Sequence, residues 1–283
     1  MSPAVLRRRG LQVRGLMSPV IEAGPQQADA AVVFVHGNPG SSEDWAALLA
    51  QTGEFARAVA FDMPGFGQAD KPADFPYTID GYAGHLAALL DELGIRRVHL
   101  VLHDFGGPWG LAWAAAHPQA LASVTLINTG VLPGYRWHYL AQIWRRPLLG
   151  EMFQAMATRG AFGLLLKHGN PRGLPREFVD RMYRDYDAGT RRAVLRLYRA
   201  SGDVAGYSQQ VIAALGPLPI PALVIWGRHD PYIPVAFAHR QRLAFPGAAV
   251  QVLDGSGHWP MADDPEAVRA SLIPFLAAQT AHG

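Results

Sequence analysis

Three polar residues follow runs of aliphatic residues along the sequence, in the order Asp104, Asp230 and His258. An aspartate carboxylate can attack saturated carbon and form a covalent alkyl ester, which a water activated by histidine then hydrolyses. A second carboxylate fixes the tautomer and orientation of the imidazole. The three residues therefore predict a hydrolase with Asp104 as nucleophile, His258 as general base and Asp230 as the partner of His258. Each also has a plainer interpretation, as a helix cap, a turn acid or a loop histidine.

The residues around Asp104 indicate how the nucleophile is held. The aliphatic run 98–102 predicts a buried strand, Gly106 and Gly107 predict a sharp turn, and segment 109–116 predicts a helix packed on the sheet. This strand, turn and helix form a nucleophile elbow, a motif that usually contains serine. Aspartate in that position favours attack on saturated carbon over acyl transfer. The alternative is that Asp104 only caps the following helix.

A turn nearer the N-terminus predicts an oxyanion hole. Segment 36–39 is His-Gly-Asn-Pro and follows the aliphatic run 30–35. The backbone N–H groups of Asn38 and Phe105, the latter just after the nucleophile, would stabilise the negative oxygen formed during ester hydrolysis. The alternative is a turn that merely starts a helix.

These positions require a sheet whose strands end at a common edge. Strands and helices alternate up to residue 130 and again from residue 217, which predicts an α/β fold with a mostly parallel sheet and helices on both faces. Segment 131–216 instead contains amphipathic stretches rich in aromatic residues and arginine, which predict helices over 135–144, 152–162, 176–186 and 191–198. We therefore expect an α/β core formed by 1–130 and 217–283, with a helical lid of 131–216 inserted after the sixth strand. The carboxyl ends of the strands would then bring the three polar residues to one crevice.

The composition narrows the possible partners of this 283-residue chain. Hydrophobic residues make up 49% and charged residues 17%, and the formal net charge of +2 comes from interspersed acids and bases, which argues against nucleic-acid binding. The chain has no cysteine, and its histidines lack ligand spacing, so we expect no metal site. No glycine-rich phosphate loop indicates an organic cofactor. Because no apolar run is long enough to span a membrane and no signal-type segment is visible, we expect a cytoplasmic protein.

With these motifs, the chain resembles the α/β-hydrolases with an aspartate nucleophile, which include haloalkane dehalogenases and epoxide hydrolases. Similarity to the dehalogenases lies in the His-Gly-Asn-Pro motif, in Asp-Lys-Pro at 70–72 and in Leu102. In that family the asparagine, here Asn38, donates to the departing halide together with a tryptophan that follows the nucleophile. This chain has Phe105 in the place of that tryptophan, and phenylalanine has no donor. Trp137 or Trp144 of the lid would have to replace it.

Similarity to the epoxide hydrolases lies in the lid. Residues 197–200, Leu-Tyr-Arg-Ala, resemble the segment that contains the second lid tyrosine of that family. The resemblance implies that Tyr198 donates a proton to the oxygen of the opened ring. Tyr135 and Tyr139 are the candidates for the first tyrosine, by proximity alone, and Trp137 is a further candidate for substrate contact. Leu102 departs from this family, which usually has a small residue there.

Epoxide opening is the favoured interpretation, because a missing halide donor damages dehalogenation more than a missing first tyrosine damages ring opening. Dehalogenation by the same triad is the alternative. An ester or C–C hydrolase is disfavoured by Asp104, and a binding protein without turnover is disfavoured by the intact order of the triad. The aromatic and aliphatic residues of the lid predict an apolar small-molecule substrate, with water as the second reactant. The sequence predicts no oligomeric state.

Overall fold

The computed structural model describes residues 4–281, and a single sheet of eight strands lies at its centre. The strands are β1 (Arg7–Val13), β2 (Leu16–Ala23), β3 (Ala30–Val35), β4 (Ala58–Phe61), β5 (Arg97–His103), β6 (Leu121–Ile127), β7 (Ala222–Gly227) and β8 (Ala249–Leu253). Their order across the sheet is β1-β2-β4-β3-β5-β6-β7-β8. Pairs β1–β2 and β2–β4 are antiparallel and the remaining neighbours are parallel, which confirms the predicted fold class.

The burial of the strands explains their sequences. Every residue of β4 and β7 is buried, and so is every residue of β3 and β5 after the first. Parallel strands covered on both faces have continuous aliphatic sequences, because neither face meets water. The edge strand β1 is mostly exposed and contains three arginines, which keep its open edge soluble.

Eleven helices surround this sheet within the described part of the chain. They are α1 (Ala46–Thr52), α2 (Ile79–Glu92), α3 (Gly106–Ala116), α4 (Tyr139–Trp144), α5 (Leu149–Ala155), α6 (Arg159–Gly169), α7 (Arg176–Asp185), α8 (Ala188–Ala200), α9 (Val204–Leu215), α10 (Pro260–Asp263) and α11 (Pro265–Thr280). Helix α2 begins where the Thr78 hydroxyl accepts the N–H of Gly81, as an N-cap does. No helix in residues 4–281 is both long and apolar enough to cross a membrane.

Helices α4 to α9 lie between β6 and β7, and we call this segment the helical insertion. Two of its predicted stretches differ from the structure. Stretch 135–144 is helical only from Tyr139, because the His138 side chain caps α4 by accepting the N–H of Ala141. Stretch 152–162 is divided between two helices, because Thr158 caps the start of α6.

The four segments expected to hold the chemistry all follow carboxyl ends of parallel strands. The 36–39 turn follows β3, Asp104 follows β5, Asp230 lies beyond β7, and His258 lies beyond β8. Since β3, β5, β6, β7 and β8 run parallel, these ends meet at one edge of the sheet. The helical insertion leaves from the same edge, after β6.

Candidate active site

Asp104 lies at a strained elbow between β5 and α3. Its φ of 48° is in the left-handed region, which non-glycine residues rarely adopt. The backbone is held there because its carbonyl accepts the hydroxyl of Thr129 and the N–H of Gly107. A Cβ on Gly107 would lie 1.9 Å from the Thr129 hydroxyl oxygen, and one on Gly106 would lie 2.4 Å from the Val35 carbonyl oxygen. The two glycines therefore allow the sharp turn that the sequence predicts.

The two carboxylate oxygens of Asp104 have different neighbours. Oδ1 accepts the backbone N–H of Asn38 at 2.7 Å. Oδ2 lies 3.4 Å from Nε2 of His258. One oxygen is therefore held by a backbone donor, while the other faces the imidazole and the cavity.

Asp230 orients the imidazole of His258 from the other side. Its Oδ2 lies 2.7 Å from Nδ1 of His258 and also accepts the side-chain amide of Asn128 at 2.7 Å. Its Oδ1 accepts the backbone N–H groups of Tyr232 and Ile233, at 2.8 and 3.0 Å. A carboxylate with both oxygens fixed in this way holds the imidazole in one orientation, with Nε2 toward Asp104.

Burial and charge act in opposite directions on the pKa values of this group. Burial lowers the pKa of His258, but the carboxylates of Asp230 and Asp104 outweigh burial and raise it above the usual range. Burial likewise raises the pKa of Asp104, but its hydrogen bond to His258 and the charge of the imidazole lower the pKa overall. Each of the two groups therefore stabilises the charged form of the other.

A second hydrogen-bonded group faces Asp104 from the helical insertion. The hydroxyl oxygen of Tyr198, on α8, lies 3.4 Å from the side-chain nitrogen of Asn38 and 3.3 Å from Nε2 of His138. Because Nδ1 of His138 accepts the N–H of Ala141, Nε2 bears the ring proton and donates it to Tyr198. The hydroxyl thus accepts two hydrogen bonds, and its own proton is free to be donated into the cavity.

The electrostatic surroundings keep both side chains of this second group neutral. Burial, together with the negative charge of Asp104, raises the pKa of Tyr198 well above its ordinary value. Burial lowers the pKa of His138 to about 4. Tyr198 is therefore a neutral proton donor and His138 a neutral hydrogen-bond donor over the physiological pH range.

The cavity at Asp104 has two chambers. Asp104, His138, Tyr198 and Tyr232 line both of them. The first, the Trp144 chamber, is also lined by Asn38, His258 and apolar side chains that include Leu140, Trp144, Phe153, Phe162 and Leu166. The second, the Trp137 chamber, is lined by Phe105, Pro108, Leu132, Trp137, Val204 and Ile233, among others.

The structure places most of the predicted site residues on this cavity. Phe105, which packs edge-on against Tyr198 with ring centroids 5.1 Å apart, lies with Tyr135 and Trp137 in the Trp137 chamber. The hydroxyl of Tyr135 donates to the carbonyl of Tyr232 at 2.9 Å, so it is already engaged. Tyr139, by contrast, is 43% exposed on α4 and lines neither chamber.

Sequence reasoning missed several residues of the site. His138 and Tyr232 line both chambers, and Asn128 bonds to Asp230. The sequence suggested Trp144 only as a substitute donor to a departing halide. Trp144 lines the Trp144 chamber, and its indole N–H is buried and has no hydrogen-bond partner among residues 4–281. Tyr232 had one usable signal, since it lies two residues after Asp230 in a turn whose N–H groups bind that carboxylate.

Comparison with known proteins places this geometry in a family. A family model described as alpha/beta hydrolase fold matches residues 30–265. An uncharacterized protein of Mycobacterium tuberculosis is 31% identical over 255 residues, which cover 83% of this chain and 72% of the relative. A cis-3-alkyl-4-alkyloxetan-2-one decarboxylase of Shewanella oneidensis is 30% identical over 264 residues, covering 87% of this chain and 81% of the relative. The crystal structure of haloalkane dehalogenase DbeA from Bradyrhizobium elkani superimposes with a TM-score of 0.85, at 25% identity, over 99% of this chain and 100% of DbeA.

Proposed function

Since the chain belongs to the α/β-hydrolase family, in its dehalogenase-like branch, we propose that it hydrolyses an apolar small molecule through an alkyl ester on Asp104. We further propose that the bond attacked is the C–O bond of an epoxide, so that the product is a diol. Asp104, His258 and Asp230 perform the two steps, while Tyr198 and Asn38 act on the leaving oxygen.

In the first step Oδ2 of Asp104 attacks a ring carbon. Oδ2 is the oxygen that faces the cavity, whereas Oδ1 is held by the N–H of Asn38 and becomes the ester carbonyl. The carbon–oxygen bond of the ring breaks, and its electron pair remains on the ring oxygen. That oxygen becomes an alkoxide, a strong base that needs a proton.

The hydrogen bonding of Tyr198 is the observation on which the choice of an epoxide rests. Its oxygen accepts from Asn38 and His138, so its proton is available for the alkoxide. The proton that Tyr198 loses is replaced from the imidazolium of His258, which lines the same chamber. This transfer leaves His258 neutral, and a neutral imidazole is the form that the second step requires. A departing halide needs no proton and would leave this arrangement without a use.

In the second step neutral His258 takes a proton from water, and the oxygen of that water attacks the ester carbonyl. Negative charge develops on Oδ1, where the N–H of Asn38 already donates at 2.7 Å. The intermediate expels the diol oxygen, which receives the proton from His258. The new carboxyl group of Asp104 then gives its own proton to His258 and restores the ion pair.

Dehalogenation is the second candidate, supported by the likeness to DbeA and by two donors in the Trp144 chamber. Asn38 and Trp144 both line that chamber, and the indole N–H of Trp144 is buried without a hydrogen-bond partner among residues 4–281. A halide stabilised by two N–H groups would leave without proton transfer. The name of the Shewanella relative favours instead a strained ring that contains oxygen.

Intact-protein mass spectrometry of the His258→Ala variant tests the proposal. Without the general base, an ester on Asp104 forms and persists, so the variant is exposed separately to styrene oxide, to other epoxides and to primary bromoalkanes. We expect a mass gain equal to the whole epoxide, mapped to the peptide that contains Asp104. A gain equal to an alkyl group, with bromide released, would favour dehalogenation. The absence of any adduct would contradict the covalent mechanism and favour a binding protein.

Two further variants serve as controls for this experiment. Combining His258→Ala with Asp104→Asn removes the nucleophile and should abolish every adduct. Combining it with Tyr198→Phe removes the proton donor but keeps the ring. That change should slow adduct formation from epoxides by about a hundredfold, as loss of a general acid does, while adducts from bromoalkanes form at nearly the same rate.

A further inference from the structure

We propose that Gln154 determines specificity, because its side-chain amide donates a hydrogen bond to a neutral oxygen atom of the substrate. This inference rests on the proposed function and narrows the substrate class to epoxides with an ether or carbonyl oxygen in the chain that occupies the Trp144 chamber. Gln154, on α5, lines that chamber and is only 4% exposed. Its Nε2 is buried and has no hydrogen-bond partner within residues 4–281.

The orientation of this amide is fixed by its oxygen atom. Oε1 of Gln154 accepts the hydroxyl of Tyr186 at 2.9 Å. Burial raises the pKa of Tyr186, so the hydroxyl keeps its proton and has its acceptor in Oε1. The backbone carbonyl of Gln154 accepts Nη1 of Arg191 at 2.9 Å, which holds this part of α5 in place. The NH₂ group is therefore the part of the side chain that is left for a ligand.

An unpaired amide at this depth is unfavourable for the protein alone. A buried N–H group without a partner loses its hydrogen bonds to water and gains nothing in return, so folded proteins rarely contain one. Apolar side chains such as Leu165 and Leu166 fill other parts of the same lining without this cost. A substrate that supplies an acceptor to Gln154 removes the cost, whereas a pure hydrocarbon chain retains it.

Two other side chains of the lining, Trp144 and Trp259, also have buried indole N–H groups without partners in the described part of the chain. Their rings lie beside groups of the proposed reaction, with centroids 4.8 Å from Tyr198 and 4.5 Å from His258, respectively. Gln154 instead bonds to a tyrosine that has no part in that reaction. Its donor therefore serves a part of the substrate other than the epoxide ring.

The charge of the chamber indicates that this acceptor is neutral. Among residues 4–281, no lysine or arginine lines the Trp144 chamber, whereas the carboxylate of Asp104 does. A carboxylate or phosphate group on the substrate would be buried there without a cation, at a cost that one amide N–H does not offset. An ether or carbonyl oxygen accepts the same hydrogen bond without introducing a charge.

The experiment compares butyl glycidyl ether with the terminal epoxide of octene, which has a methylene group in place of the ether oxygen. Isomers with the ether oxygen at each later position of the chain complete the series. For each ether we measure the ratio of its kcat/KM to that of the hydrocarbon epoxide. In Gln154→Met, which removes the N–H but keeps the length of the side chain, we expect the ratio for the best ether to fall about tenfold, as loss of one hydrogen bond does. Comparing ratios between enzymes cancels the intrinsic difference in reactivity between the epoxides.

Two further variants serve as controls for Gln154→Met. Leu166→Met places a methionine in the same chamber without removing a donor, so the ratio should match that of the unaltered enzyme, whatever the effect on the separate rates. Tyr186→Phe guards against a folding defect in the first variant, because it keeps the aromatic ring and leaves Gln154 in place. It removes the hydroxyl that orients the amide, so the ratio should fall in the same direction by a smaller factor.

The outcomes separate this inference from the proposed function. A ratio that is the same with and without Gln154 for every ether would overturn the inference even while epoxides are hydrolysed, and would mean that water satisfies the amide. If no epoxide reacts, binding of the corresponding diols gives a reading that needs no chemistry. Calorimetry should then show tighter binding of an ether diol, and the side-chain NH₂ signal of Gln154, identified by its absence in Gln154→Met, should shift more with that diol. Equal affinity of the ether and hydrocarbon diols, with the same NH₂ signal in both complexes, would overturn the inference.

Discussion

The imidazole of His258 faces the carboxylate of Asp104, with Nε2 3.4 Å from Oδ2. The charge of each group depends on the other, because the carboxylate helps to raise the pKa of His258 and the imidazolium helps to lower that of Asp104. In the proposed mechanism, alkylation of Asp104 removes the negative charge, so the pKa of His258 would fall once the ester has formed. The same histidine would thus change from an imidazolium that pairs with Asp104 into a base for water.

This coupling predicts different pH profiles for the two half-reactions. Ester formation should be independent of pH from about pH 5 upward, because a carboxylate with a lowered pKa is fully ionised there. Ester hydrolysis should rise with pH through the pKa of His258 in the ester, a value below that of the resting enzyme. Rapid-quench measurements of each step in a single turnover give the two profiles. A shared midpoint for both steps would contradict the coupling.

Asp230→Asn should separate the two steps by rate. The substitution replaces one of the two carboxylate oxygens with an NH₂ group, which accepts no hydrogen bond. Either the backbone N–H groups or the Nδ1–H group of His258 therefore loses its acceptor. We expect hydrolysis of the ester to slow by about 10³- to 10⁴-fold, as in other triads that lose this carboxylate. Ester formation should slow much less, so the alkylated enzyme accumulates during turnover and is visible by mass spectrometry.

Asp254→Asn is the matched control for that variant. Asp254 is an exposed acid just after β8 that pairs with Arg228 on the surface. Its replacement should leave both half-reactions unchanged. If Asp230→Asn showed no accumulated ester, with both steps slowed alike, Asp230 would be acting on the fold and not on His258.

His138 positions Tyr198, and its loss should affect ring opening selectively. His138→Phe keeps an aromatic ring but removes the N–H that lies 3.3 Å from the Tyr198 hydroxyl. Loss of one neutral hydrogen bond is worth about 1 kcal/mol, so we expect kcat for epoxides to fall about five- to tenfold. Adduct formation from bromoalkanes, which needs no proton, should not change. We expect His138→Gln to recover part of the lost kcat for epoxides, and we expect KM to stay constant. These two results would distinguish a positioning role of His138 from a general structural defect.

The sequence predicted the elbow and the grouping of Asp104, Asp230 and His258, because local signals specify them. The aliphatic run of β5, the glycines after Asp104 and the turn after β7 each act over a few residues, and the parallel order of strands then brings their ends together. The orientation of Asp104 toward Asn38 was likewise expected from the turn after β3. These parts of the site depend on the backbone conformation, which the strand and turn residues specify locally.

The helical insertion was less predictable because packing decides which of its side chains face the cavity. His138 lies in a stretch expected to be helical, but it caps α4 and turns its other ring nitrogen toward Tyr198. Histidine is an unusual cap, so no sequence signal indicated this. Tyr139, one residue later, lies on the exposed side. A difference of one position thus decides between a site residue and a surface residue.

Four histidines predict that the protein loses stability in mild acid. Burial lowers the pKa of His85, His99, His103 and His138 to about 4 in the folded state. In the unfolded chain each should titrate near pH 6.5. Between these values the unfolded state binds more protons, so the free energy of unfolding falls as the pH falls from about 6.5 to about 4. His258 adds nothing to this slope, because its raised pKa leaves it protonated in both states over that range.

Denaturant titrations across this pH range measure the slope and test its source. Four protons correspond to at most about 5.5 kcal/mol per pH unit, since each contributes about 1.4 kcal/mol. His99→Gln keeps a polar group that can bond to the hydroxyl of Ser123, the present partner of His99 at 2.9 Å, and removes one titrating group. The slope of this variant should therefore fall by about one proton. An unfolding free energy that stays constant from about pH 6.5 to about pH 4 would show that these imidazoles accept protons without unfolding.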